Sequence, residues 1–167
     1  MDEAKPMKIL SIDPGNKLSA YVIYEDGEII DKGKLPNEEL LFIVGHNDPT
    51  VEHMVIEMIA SYGMAVGETV FETCVWIGRF IERWNRPFTK VKRMKVKMHL
   101  CHSARAKDCN IRQAIIDRYP ETGGGKTQQI GTKSQPGPLY GVSADVWAAL
   151  GVAITFSEGG HLIGATK

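Results

Sequence analysis

Three carboxylates in this chain sit where carboxylates are costly. Asp13 ends the apolar run Lys8-Ile9-Leu10-Ser11-Ile12 and is followed at once by Pro14-Gly15-Asn16. Glu57 closes the run Met54-Val55-Ile56, and Asp145 lies within Val142-Ser143-Ala144-Asp145-Val146-Trp147-Ala148-Ala149-Leu150. A charge in such surroundings is unfavourable unless a cation compensates it. Acids far apart in sequence and alike in setting suggest one shared site for a divalent metal. Mg²⁺ takes oxygen ligands in an octahedron, usually a few carboxylates completed by water and substrate phosphate. Two such ions about 4 Å apart can activate water and stabilise the leaving oxygen of a phosphodiester. The chemistry read from these residues is therefore metal-assisted hydrolysis, with Asp13, Glu57 and Asp145 as ligands and Mg²⁺ or Mn²⁺, two ions per site, as cofactor. Asp108 is a further candidate ligand, although an i,i+4 ion pair with Arg112 explains it equally well.

The elements that would position these groups follow from local pattern. Residues 7–13, 19–25 and 28–35 read as strands, the last two joined through Asp26-Gly27 as a hairpin. A short helix over 37–44 has Asn37 as its possible cap. Residues 51–57 form a fourth strand, followed by a long amphipathic helix over 64–84 that ends before Pro87. A fifth strand over 88–91 precedes a short helix over 92–100 and another, capped by Ser103, to about 119. Segment 121–139 is rich in Gly, Pro, Lys and Gln and reads as a mobile loop. The last helix spans 142–156, with Asp145 in its first turn, and 158–167 reads as a loose tail. A hairpin followed by alternating strands and helices implies an α/β fold: one mixed five-stranded sheet with helices on both faces.

The chain has 167 residues and 43% hydrophobic content, enough for a single domain with its own core. No apolar run reaches the roughly 20 residues needed to cross a bilayer, and the polar N-terminus lacks a secretory h-region. Three cysteines give no disulfide framework. A cytoplasmic protein is expected.

Zero net charge conceals an asymmetry. Residues 1–75 hold 14 acids and 5 bases, whereas residues 76–167 hold 6 acids and 15 bases. The bases concentrate at Arg79, Arg83, Lys92, Arg93, Lys95, Lys97, Arg105, Lys107 and Arg112, with Lys126 and Lys133 further on. Such a stretch predicts affinity for a phosphate backbone; the alternative is the solvated face of a helix. Two apparent motifs carry less. Pro120-Glu121-Thr122-Gly123-Gly124-Gly125-Lys126-Thr127 ends like a phosphate-binding loop but lacks the leading Gly and follows a helix. His99, Cys101, His102 and Cys109 match no zinc spacing.

Strand–Asp13-Pro14-Gly15, Glu57 at the end of a later strand, the basic helices and the Ala144-Asp145 helix together resemble RuvC-type Holliday junction resolvases. These belong to the RNase H-like superfamily. The likeness spans about residues 8–156. Ser103–Asp108, Ile111–Ala114 and Gly137–Gly141 resemble the phage and prophage branch more specifically. The resemblance implies an RNase H-like fold and a homodimer. The dimer would nick two symmetry-related strands of a four-way DNA junction and leave 5′-phosphates. It also implies that Asp13, Glu57 and Asp145 are the metal ligands. The family usually carries an acid or histidine three residues before the last Asp; here that residue is Val142. Tyr62 stands near the place of an aromatic that family members present to the junction centre. Other readings stay open: an RNase H-like nuclease for flaps or RNA–DNA hybrids, a non-catalytic junction-binding protein, or a fragment of an actin-like sugar kinase, for which the chain is short.

Overall fold

The computed structural model describes residues 5–162. The strands are β1 (Ile9–Asp13), β2 (Leu18–Glu25), β3 (Glu28–Pro36), β4 (His53–Met58) and β5 (Phe88–Lys92). The helices are α1 (Asn37–Gly45), α2 (Glu68–Trp84), α3 (Arg93–Cys101), α4 (Asp108–Ile116) and α5 (Val146–Ser157), followed by a 3₁₀ turn over Gly160–Leu162. The sheet runs β3-β2-β1-β4-β5. β1, β2 and β3 are antiparallel neighbours, whereas β4 and β5 are parallel to β1. This is the mixed five-stranded α/β sheet expected, with helices on both faces.

The hairpin follows from turn chemistry. Asp26 and Gly27 both have positive φ (49° and 83°), as a two-residue turn between twisted strands requires. Alternation along β1 then divides the core. Leu10 and Ile12 face α1 and α2, meeting Leu40, Val44, Ile77, Phe80 and Trp84. Ile9 faces the other side with Ala20, Val22, Val55 and Val91, beneath α5. Helix α5 is buried all round because α3 and α4 cover its outer side. Gly151 faces this layer: a Cβ there would make ordinary van der Waals contact with Val96 at 3.4 Å and Ile111 at 3.6 Å. Buried Ser11 donates to the Ala149 carbonyl at 2.7 Å and fixes α5 on the sheet.

Several local expectations are corrected. Helix α2 begins at Glu68, not near 64, and α4 begins at Asp108, not after Ser103. The Ser103 hydroxyl instead accepts from the Arg105 amide. Asp145 occupies the N-cap position of α5 and precedes its first turn.

Segment 121–139 has neither helix nor strand, but it is not an open chain. Gly123 donates to Gln128, Gly124 to Gln135, and Gly137 to Ile130, each through backbone. A Cβ at Gly123 would lie 2.6 Å from the Gln128 oxygen, and one at Gly137 only 2.3 Å from it. These glycines permit close backbone approach, and Leu139 anchors the segment in the core. The inference of mobility from glycine content therefore loses its basis. The 158–162 part of the tail is likewise tied down: Glu158 bonds His99 and Arg118. The remainder of the tail lies outside the described residues. Among the described residues, no helix is long and apolar enough to cross a membrane.

Candidate metal centre

Register places the acids. Ile12 pairs with Ile56 across the parallel β1–β4 ladder, so the next residues, Asp13 and Glu57, stand side by side at the C-terminal edge. On the other side Asp13 pairs with Ala20, and Ala20 with Lys34. Glu57 pairs with Val91. The row Lys34–Ala20–Asp13–Glu57–Val91 therefore points to one face, the face on which Ala20 and Val91 enter the core under α5. The N-terminus of α5 delivers Asp145 to the same edge, where its Oδ2 lies 2.5 Å from Lys34 Nζ. The backbone there is bent: Ala144 has φ +46°, an uncommon value for a residue with a Cβ, and Gly141 has φ +78°.

The loop after Asp13 is buttressed from within. The Gly15 amide donates to Ser19 Oγ (3.0 Å), Ser19 Oγ donates to Asn37 Oδ1 (2.6 Å), and Asn37 Nδ2 donates to the Gly15 carbonyl (2.8 Å). Asn37 thus makes no cap hydrogen bond; its buried amide closes a ring that holds the loop. Gly15 is required in that loop, since a Cβ would stand 2.3 Å from the Leu18 carbonyl oxygen.

Electrostatics marks the same place. Burial pushes the Asp13 carboxyl up to about 7, with Glu57 and Asp145 adding to the rise while Arg93 and Lys34 oppose it. Burial also raises Glu57, against the pull of Arg93. Arg93 opens α3 beside the acids, with Nη1 3.6 Å from Glu57 Oε2 and a second contact to Asp108. At 3.6 Å the Glu57 contact is ionic without being a hydrogen bond. Glu57 Oε2 is accordingly a buried oxygen with no hydrogen-bond partner.

The three carboxylates share one field, yet they do not close on one point. Among the described residues no three acidic, histidine or cysteine groups are gathered for an ion. Each of two acids is instead paired with a cation: Asp145 with Lys34, and Glu57 with Arg93. The donor set nevertheless suits a hard divalent cation: it is oxygen-only, Asp13 and Glu57 are partly buried while Asp145 is exposed, and Glu57 offers an unpartnered carboxylate oxygen.

The other candidate residues divide. Arg93, Asp108, Arg112 and Asp145 line one small cleft of about 80 Å³ with Trp147, over whose ring Arg112 lies at 4.8 Å. Asp108 pairs with Arg93 rather than with Arg112. Arg105 and Lys107 are exposed just before α4, Lys92 is exposed at the end of β5, and Lys97 shares a helix face with Arg93. Lys95 is half-buried on α3. Lys126 and Lys133 are exposed on the 121–139 loop, and Tyr62 is 64% exposed after β4. Arg79 and Arg83 are elsewhere. The start of α2 lies near the acids, where Asn16 bonds Glu72, but its end reaches the opposite sheet edge, where Trp84 bonds Pro87. Arg79 pairs with Glu38 and lies over Trp76, while Arg83 packs against Gly45. The single basic face expected from the sequence is thus split. Val142 is buried in the core. His99 bonds Glu158 and Cys109 is exposed, while 120–127 runs from α4 into a loop. Sequence reasoning missed Lys34, Ser19 and Asn37; nothing in the alternation of β3 distinguishes Lys34 from its neighbour Lys32.

No protein-family model matches the chain, and no curated protein matches it. Solved structures do. Thermus thermophilus RuvC superposes with a TM-score of 0.62 at 15% identity, covering 93% of this chain and 98% of that one. T. thermophilus RuvC in complex with Holliday junction substrate gives 0.61 at 15% identity, covering 89% and 92%. This chain has the RuvC fold. Identity this low carries the path of the backbone and not the chemistry. The RuvC fold therefore supplies the frame, and its strand register brings the acids to one sheet edge.

Proposed function

We propose that this protein is a metal-dependent endonuclease that resolves four-way DNA junctions. The carrying observation is the juxtaposition of Asp13 and Glu57 at one sheet edge, with Asp145 delivered beside them by α5, in the RuvC fold. A solved RuvC bound to Holliday junction substrate makes branched DNA the first substrate to test. In this reading Asp13, Glu57 and Asp145 hold Mg²⁺ or Mn²⁺, and bound metal supplies an activated water and charge neutralisation at the phosphodiester. Products would carry 5′-phosphates. Arg112, Arg105 and Lys107 bind backbone phosphates beside the cleft, and Tyr62 offers a ring for base stacking.

The chain is assigned to the phage or prophage branch, in the cytoplasm of the host cell. Support comes from Ser103–Asp108 and Ile111–Ala114, which carry the resemblance and border the cleft. A homodimer fits two equivalent strands cut at once. Its interface is proposed on the outer face of α2. Phe71 and Val75 are 60% and 62% exposed there, and the residues that cover the protein's own sheet are instead Ile77, Phe80 and Trp84. A second reading, a non-catalytic junction-binding protein, is favoured by the pairing of Asp145 and Glu57 with cations and by the apolar Val142. Cleavage of synthetic four-way junction, flap, RNA–DNA hybrid and duplex substrates, with Mg²⁺ and with Mn²⁺, separates these readings. Metal-dependent paired nicks in the junction support the resolvase, and binding without cleavage under either metal supports the second reading.

A further inference from the structure

The candidate centre contains its own cations. Four carboxylates stand around the sheet edge, those of Asp13, Glu57, Asp108 and Asp145, with two basic side chains among them. Arg93 is committed to Glu57 and Asp108. Lys34 has one carboxylate partner, Asp145. Register explains its reach. Lys34 and Asp13 are separated by the single strand position of Ala20, so their Cα atoms are roughly 10 Å apart. Ala20, between them, is fully buried and small, and the four-carbon stem of lysine has the length for the reach.

Charge then limits what the centre can accept. Lys34 engages Asp145, and Arg93 engages Asp108 more closely than Glu57, so Asp13 and Glu57 are the two carboxylates left for a metal. One divalent ion neutralises them; two would leave an excess of positive charge in a partly desolvated site. The helix side, where Lys34 stands, offers no further donor at Val142, which is buried in the core.

We propose that Lys34 is a working cation of the active site, its ammonium standing beside Asp145 in the place of a second metal ion, so that the centre takes one divalent ion at Asp13 and Glu57. This rests on the metal-dependent nuclease reading and departs from the two ions expected from sequence. When DNA is bound, the same ammonium faces the phosphate on the α5 side and neutralises charge there.

The test counts ions on the full chain without DNA, by Mn²⁺ titration followed by electron paramagnetic resonance and calorimetry. The wild type should bind one Mn²⁺ per protomer, with the spectrum of an isolated ion. Lys34→Met should admit a second ion with spin coupling between the two, and Lys34→Arg should return the count to one. In single-turnover junction cleavage Lys34→Met should lose about 100-fold, the scale for removing one electrostatic stabiliser, with Lys34→Arg restoring part of it. Two ions in the wild type, or a Lys34→Met count equal to wild type, overturns the role of Lys34 and leaves the nuclease reading standing. A folded wild type that binds no Mn²⁺ overturns both.

Discussion

The side-chain amide of Asn37 donates to the Gly15 carbonyl at 2.8 Å, tying the first turn of α1 to the loop that follows Asp13. Both this amide and the Ser19 hydroxyl are buried, so neither has water as an alternative partner. Asn37→Ala leaves Ser19 and Gly15 unsatisfied and should cost about 1–3 kcal/mol in denaturant unfolding. Cleavage should fall as well, because the Asp13 loop loses its fixed position. Unchanged stability would show that the ring does not hold the loop.

Asp13→Asn should abolish junction cleavage and retain junction binding, since charge is removed with little change of volume. It should also alter stability with a defined sign. The Asp13 carboxyl ionises at about 7 in the folded chain, against an ordinary value of 3.8. The folded state therefore holds the proton more tightly, and this group makes stability fall as pH rises from about 4, with the loss complete above about 7. Without metal, Asp13→Asn should be more stable than wild type at pH 8, by on the order of 1–4 kcal/mol, and the gap should shrink toward pH 4. Saturating Mg²⁺ should narrow it by stabilising only the wild type. Thermal melts across pH, with and without Mg²⁺, check all three trends; a gap independent of pH would contradict them.

The split of the basic stretch makes junction affinity position-dependent. Lys107→Ala and Arg112→Ala, beside the cleft, should weaken binding and each lower the slope of log affinity against log salt by about 0.7–0.9. Arg79→Ala and Arg83→Ala, at the far end of α2, should leave that slope unchanged. Fluorescence anisotropy over a salt series measures both; equal losses at all four positions would restore a single continuous face.

The outer face of α2 gives the dimer proposal a clean variant. Phe71→Asp with Val75→Asp should convert a dimer to a monomer in sedimentation at micromolar concentration. The protomer's melting temperature at low concentration should hardly change, because both side chains are largely exposed within one chain. A wild type that stays monomeric both alone and on junction DNA would remove the dimer.

Gly131 has φ +77°, and a Cβ there would lie 2.2 Å from the Gly137 amide nitrogen. Gly131→Ala should therefore open the self-bonded 121–139 loop, with a backbone cost alone of roughly 1–2 kcal/mol. We expect junction cleavage to fall more than global stability, with limited proteolysis cutting the loop first. A loop as resistant as the wild type's would argue that these close contacts do not maintain it.

The sequence by itself determined the frame and pointed to three acids that the fold brings to one sheet edge. Asp13, Glu57 and Asp145 were legible because each interrupts an apolar run. The hairpin was legible because Asp26-Gly27 is a local turn signal, and the mixed sheet because strand and helix periods alternate along the chain. The start of α1 at Asn37 was legible, whereas the starts of α2 and α4 were misplaced near 64 and after Ser103, and the polar groups of Asn37 and Ser103, read as caps, found other partners. Only the tertiary structure decided that Lys34 meets Asp145, that Arg93 stands among the acids while Arg79 and Arg83 do not, and that the glycines of 121–139 serve close packing. These outcomes depend on strand register and on which helix face is buried. Both are set by contacts between distant segments, to which local periodicity and turn chemistry are blind.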